Sequence, residues 1–170
     1  LFFKKNDFFK VNGFGLDYTI VPMKQAIANP YTFEGIVANL GALSQTTHIN
    51  VEVYNGSGNN VFSTTSADSV LNPQDTIIFV GQNKFTPTTE DEYYFETWAS
   101  SIDTVSDTMY SSSIVSEKVY ARDNGTDHSE YGLGRSCGGM IIGTYFDVYD
   151  TDDLASLSVF PFWGGGGLNN

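Results

Sequence analysis

The chain has 170 residues, 15% aromatic and only 16% charged, and its 20 Asp and Glu against 8 Lys and Arg leave a formal net charge of −12. A length of this kind fits one ordinary domain, or a small domain with part of another, and lets about 70% of the unfolded surface be buried. An excess of carboxylates repels phosphate backbones and anionic lipid, which argues against nucleic-acid binding, and no apolar run approaches the ~20 residues of a transmembrane helix.

The opening "LFFKKNDFFK" lacks a continuous apolar stretch and a small-residue cleavage site, so residues 1–15 read as an N-terminal segment of a mature chain or an internal start. Helix signals are scarce. The one candidate, "PMKQAIANP" (Pro22 to Pro30), is bounded by prolines and short. Elsewhere apolar and polar residues alternate with period two and break at Gly, Asn, Asp and Pro, which predicts an all-β fold.

"LDYTIV" (Leu16 to Val21) is the first predicted strand, and "YTFEGIVANLG" follows with Phe33 and Val37 on one face and Asn39 and Gly41 closing a turn. "THINVEVY" is the clearest strand: Ile49, Val51 and Val53 share one face, His48, Asn50 and Glu52 the other. "NGSGNN" (Asn55 to Asn60) reads as a hairpin turn into "VFSTT". A Pro-Gln-Asp turn precedes the strand Thr76 to Val80, and in "DEYYFETWAS" Tyr93, Phe95 and Thr97 point inward, with Tyr94, Glu96 and Trp98 opposite. After the polar loop "SSIDTVSDTMYSS" comes the strand "SIVSEKVYA".

Seven or so short strands over residues 16–119, with turn signals between them, suit an immunoglobulin-like β-sandwich. Its expected core comprises Phe33, Val37, Ile49, Val51, Val53, Tyr93 and Phe95, with Glu52 and Glu96 on outer faces. Beyond about Tyr120 the texture changes. "ARDNGTDHSEYGLGRSCGG" is glycine-rich and polar, two further strands are expected in "MIIGTYFDVY" and "LASLSVFPFW", and "GGGGLNN" has a linker's composition. Residues 120–170 therefore read as the first strands of an incomplete second β module.

The order "YTFEGIVANLG", "QTTHINVEVYNG", "LNPQDT", "FTPTTEDEYYFETW" and "VYARDNG" resembles secreted or surface-displayed multidomain proteins of Bacteroidota, often substrates of type IX secretion. In these an Ig-like module runs into a jelly-roll-like one, with "YARD-x-G" at the junction; "IIGTYFDVYDTDDLASLSV" looks like the opening strands of that second module. The resemblance covers about residues 16–160. It implies an extracellular or cell-surface location and a role in adhesion, assembly or display. An alternative is the accessory region of a secreted hydrolase whose catalytic domain lies outside this chain, or a secretion cargo bound in a larger assembly.

Chemistry-bearing motifs are few. "GRSCG" (Gly134 to Gly138) matches the nucleophile-elbow pattern, but the elbow needs a preceding strand, a following helix and a later His, and both histidines, His48 and His128, precede Ser136. A tight glycine turn is the favoured reading. Cys137, the single cysteine, can form no intrachain disulfide and reads as a small buried hydrophobe. No catalytic residues are assigned, and a non-enzymatic role is expected.

Asp147, Asp150, Asp152 and Asp153 in "DVYDTDD" are the best metal candidates, for Ca²⁺ held by carboxylates and carbonyls; solvated turn carboxylates are the favoured alternative. The sequons at Asn55 and Asn124 matter only in a glycosylating source. The outward Tyr94 and Trp98 could line a sugar- or protein-binding strip, or cover the seam with the second module, which is favoured. Met140, Ile141, Ile142, Tyr145, Phe146, Leu157, Val159, Phe160, Phe162 and Trp163 want burial that two strands cannot supply. The Ig-like module, further C-terminal sequence or another chain could cover them, and a protein partner or homo-oligomer contact through residues 121–170 is expected.

Overall fold

Strict alternation in "THINVEVY" leaves that segment one stable arrangement, a half-buried strand with its β-branched residues inward. The computed structural model, which describes residues 2–7, 18–122 and 146–157, has that arrangement: Ile49, Val51 and Val53 are buried. The chain divides into two compact units, Leu1–Asn124 and Gly125–Asn170.

In the first unit the elements run β1 (Phe2–Asp7), β2 (Ile20–Pro22), α1 (Met23–Ala28), β3 (Glu34–Ala38), β4 (Gln45–Tyr54) and β5 (Asn60–Thr65). They continue with β6 (Ser69–Leu71), β7 (Thr76–Val80), β8 (Asp91–Ser101) and β9 (Met109–Ser116). Among the described residues these strands form a three-stranded sheet, β1-β3-β7, and a six-stranded sheet, β2-β9-β8-β4-β5, in which β6 also pairs with β4. The fold is an all-β sandwich. Every pairing is antiparallel except β2 with β9, where Ile20 lies opposite Ile114 and Pro22 opposite Ser116.

Aromatic rings make much of the core between the sheets. Phe33 meets Phe95 edge-on at 5.6 Å between centroids, Tyr31 lies 5.4 Å from Phe95, and Phe85 meets Tyr93 at 5.0 Å. Offset and edge-on ring pairs of this kind add to the stabilisation from area burial alone. All seven expected core residues are buried, from Val37, Ile49 and Val53 at 0% exposure to Phe33 at 3%. Where the chain joins the two sheets, Gly81 donates its N–H to the Phe33 carbonyl at 2.9 Å and bridges to Ser66. A Cβ there would lie 3.2 Å from the Thr64 methyl, so glycine permits the close approach.

Three elements differ from the expected ones. The first strand is shorter than its pattern and turns directly into α1 at Pro22, whose fixed φ of −61° suits both strand and helix entry. That short helix does form. Packing holds it, with Gln25 and Ala26 buried, and Asn29 ends it because the residue before Pro30 is disfavoured in the α region. The last strand of the sandwich begins at Met109 inside the expected polar loop and ends at Ser116. Pairing with the long β8 sets those limits, with Thr97 opposite Met109 and Asp91 opposite Val115.

The chain then returns to β2: Ala121 donates to Ile20 O at 2.9 Å and accepts from Thr19 N at 3.0 Å. Tyr120 stacks on Tyr18 at 4.8 Å, and the Arg122 guanidinium sits 4.8 Å from the centre of the same Tyr18 ring. In the second unit the described stretch, residues 146–157, carries no strand; the two strands expected in "MIIGTYFDVY" and "LASLSVFPFW" lie largely outside the described residues. Several of its apolar side chains are solvent-facing, with Val148 63%, Leu154 83% and Leu157 73% exposed, while Phe146 is half-buried. A strand needs neighbours to hydrogen-bond, and none pairs with this stretch among the described residues.

Candidate functional site

The outer face of the six-stranded sheet is the most distinctive surface of the first unit. Period-two alternation turns Glu92, Tyr94, Glu96 and Trp98 of β8 away from the core, beside Asn50, Glu52 and Tyr54 of β4. The expected outward placement of Glu52 and Glu96 holds, since each is half-buried while its neighbours Val51 and Phe95 are at 1% exposure.

Register then builds rows across the face. Tyr110, Glu96, Glu52 and Ser63 form one row over β9, β8, β4 and β5. Ser112, Tyr94, Tyr54 and Asn60 form the next, and Trp98, Asn50 and Thr65 a third. Two carboxylates thus lie directly opposite each other, bordered by four aromatic side chains. From Tyr94 to Trp98 along β8 the patch spans about 13 Å, at ~3.3 Å per residue. Tyr110 is 72% and Tyr94 43% exposed.

Hydrogen bonds fix parts of this surface. The Tyr54 hydroxyl donates to Glu52, and that bond raises the phenol's pKa above its ordinary value. Tyr94 is raised in the same direction, chiefly by its hydrogen bond to Glu92. Asn50 donates to the Ser100 hydroxyl at 2.8 Å, and beyond it the His48 ring lies 2.9 Å from Asp68.

A recess of about 150 Å³ is lined by Asn55, Val61, Phe62, Phe85, Thr86, Thr88, Thr89 and Tyr93. That is below the ~300–1,000 Å³ of most small-molecule pockets.

Of the aspartates weighed for Ca²⁺, Asp150, Asp152 and Asp153 are exposed and Asp147 half-buried. Asp150 accepts from the Thr151 N–H at 2.7 Å and Asp152 from the Asp153 N–H at 3.0 Å, as turn carboxylates do. Among the described residues no three His, Cys, Asp or Glu side chains gather as a metal site requires. Ser136, Cys137 and His128 lie outside the described residues, as do Met140, Ile141, Ile142, Tyr145, Val159, Phe160, Phe162 and Trp163. No described helix is long and apolar enough to cross a membrane.

The aromatic and acidic rows show what local reading misses. Outward placement of Tyr94 and Trp98 follows from alternation, but Tyr110 sits in a stretch that reads as loop. The facing of Glu52 with Glu96 depends on strand register that no local pattern encodes.

No family model and no curated protein matches the chain. Among solved structures it is similar to a β-glucuronidase of Bacteroides uniformis, at 17% identity and a TM-score of 0.42. That likeness covers 50% of this chain and 11% of the enzyme's.

Proposed function

We propose that the chain is a non-catalytic structural and binding module of a secreted or surface-displayed bacterial protein, acting in adhesion, assembly or display. One observation carries the reading: the six-stranded sheet presents aromatic rings and carboxylates on its outer face, while the recess bordered by Asn55, Phe62, Phe85 and Tyr93 is small and lined by no His, Cys, Asp or Glu. A flat, hydrogen-bonded surface of this chemistry suits contact with a macromolecule better than enclosure and activation of a small substrate.

The parallel pairing of β2 with β9 supports an Ig-like arrangement of the strands. The order of motifs from "YTFEGIVANLG" to "VYARDNG", which resembles that of exported Bacteroidota proteins, supports an extracellular location and the type IX route.

Fractionation of the source cells with an antiserum against the chain tests location, and the expected signal is in the medium or at the surface. Assay of the full chain against glycoside, ester and peptide substrates tests the absence of catalysis. Turnover lost on Ser136→Ala or Cys137→Ala, or a strictly intracellular signal, would overturn the reading.

A further inference from the structure

We propose that the outer face of the six-stranded sheet docks a basic segment of a partner protein, whose arginine or lysine side chain lies over Glu52 and Glu96. The inference rests on the binding-module reading and names the chemistry of its partner.

The pair Glu52 and Glu96 occupies opposite positions on adjacent antiparallel strands. Like charges in that relation destabilise a sheet. A one-residue slip of register would part the two carboxylates only by exposing Ile49, Val51 and Val53. Nor does the described chain neutralise them. Lys118 pairs with Glu117 at 2.9 Å, and among the described residues no lysine or arginine pairs with either Glu52 or Glu96.

A cation from outside would meet both needs of this surface. It would neutralise the facing carboxylates, and the rings beside them offer electron-rich faces. Tyr110 is next to Glu96 across the sheet, Tyr94 and Trp98 lie two residues to either side along β8, and Tyr54 follows Glu52 on β4. A guanidinium fits best, since it can bond a carboxylate in a bidentate manner and stack on an aromatic ring.

Charge decides between occupants. A second copy seated on the same face would bring its own Glu52 and Glu96 against these, on a chain already at −12. A neutral glycan could stack on the rings but would leave the carboxylate repulsion in place. A basic partner segment is the occupant complementary to both features.

The test titrates the full chain with a short peptide of alternating arginine and glycine, with the same peptide carrying citrulline for arginine, and with a neutral hexasaccharide. The arginine peptide is expected to bind, and the citrulline peptide to bind about tenfold more weakly or less. Glu52→Gln with Glu96→Gln should weaken the arginine peptide by about tenfold, and Trp98→Ala or Tyr94→Ala by a few-fold. The control Asp103→Asn with Asp107→Asn removes the same charge from an exposed loop and should change binding less than about twofold.

Glu96→Lys guards against a folding defect in the double variant: it should pair with Glu52, keep or raise the melting temperature, and still abolish peptide binding. Equal loss in the control variant would show only diffuse attraction and overturn the proposal. So would no binding at about 1 mM peptide. Hexasaccharide binding lost in Trp98→Ala but kept in the glutamine variant would replace the proposal with a sugar-binding face. None of these outcomes touches the extracellular, non-catalytic reading, which falls only on turnover or on location.

Discussion

Tyr31 shows how one side chain couples the two sheets to pH. It is fully buried, its ring lies 6.0 Å from Phe85 and 5.4 Å from Phe95, and its hydroxyl is 3.0 Å from the Ser113 hydroxyl. Burial is the main cause that pushes its pKa from 10.0 up to about 12, opposed by the Ser113 hydrogen bond. Between those values the unfolded phenol ionises while the folded one keeps its proton. The stabilisation is therefore complete below pH 10 and is lost as pH rises toward 12. Its size is on the order of 2–3 kcal/mol. Tyr31→Phe should cost about 1 kcal/mol at neutral pH, through the hydroxyl left behind, yet lose less stability than wild type across the alkaline range. Melting temperatures measured from pH 9 upward would check this, and parallel curves for the two proteins would refute it. Asn39 is a second buried polar anchor. Its Nδ2 donates to Leu43 O at 2.7 Å and Leu71 O at 3.0 Å, and its Oδ1 accepts from the Gly41 N–H at 3.0 Å. Asn39→Asp, which cannot donate to either carbonyl, should cost more than Asn39→Ala. The alanine itself should cost roughly 2–4 kcal/mol by chemical denaturation, as several partners lose their bonds in a dry site.

At the scale of the strand, burial separates identical substitutions. Val51 of β4 is at 1% exposure and Val61 of β5 at 45%. Val51→Ala should cost about 1.5–3 kcal/mol, and Val61→Ala less than about 0.5 kcal/mol. Urea midpoints would read the difference, and equal midpoints would mean that β4 does not carry its even residues outward. The inward faces of β4 and β8 were legible in the sequence because inner positions are β-branched or aromatic and many outer ones polar. The start of β9 was not. "MYSS" has no apolar alternation, and β8 rather than its own composition draws it into the sheet, with Glu96 opposite Tyr110 and Phe95 opposite Ser111. The helix α1 was seen only as a short candidate, since its stability comes from tertiary burial of Gln25 and Ala26. The Asn72–Asp75 turn was visible from its proline, but not that Gln74 takes a φ of 69°, a conformation usually left to glycine. The candidate face was half legible. Alternation assigns Tyr94, Glu96 and Trp98 outward, whereas the meeting of Glu52 with Glu96 is a long-range consequence of topology.

The described residues of the two units differ in how their backbone is bonded. In the first, residues 18–122 combine two sheets, a ring-rich core and closing bonds from Ala121 to β2. Opening such a segment locally requires breaking ladder hydrogen bonds and exposing core together, so its peptide bonds are protected by most of the unit's stability. The described part of the second unit is different in kind. Residues 146–157 have no ladder partners among the described residues, and Val148, Tyr149, Leu154 and Leu157 face solvent. A protease that cuts beside large apolar residues, such as thermolysin, can bind an extended exposed segment directly but must wait for unfolding to enter a sheet. Brief digestion of the native chain should therefore compare these two segments directly. Among cuts falling within the described residues, the first should lie in 146–157, and a fragment containing the intact 18–122 stretch should persist. Intact-mass spectrometry of the time course would locate them. Early cuts inside β4, β8 or β9 would show that the sandwich opens more readily than its hydrogen bonding implies. Protection of 146–157 in the isolated chain would show instead that Leu154 and Leu157 are covered in solution.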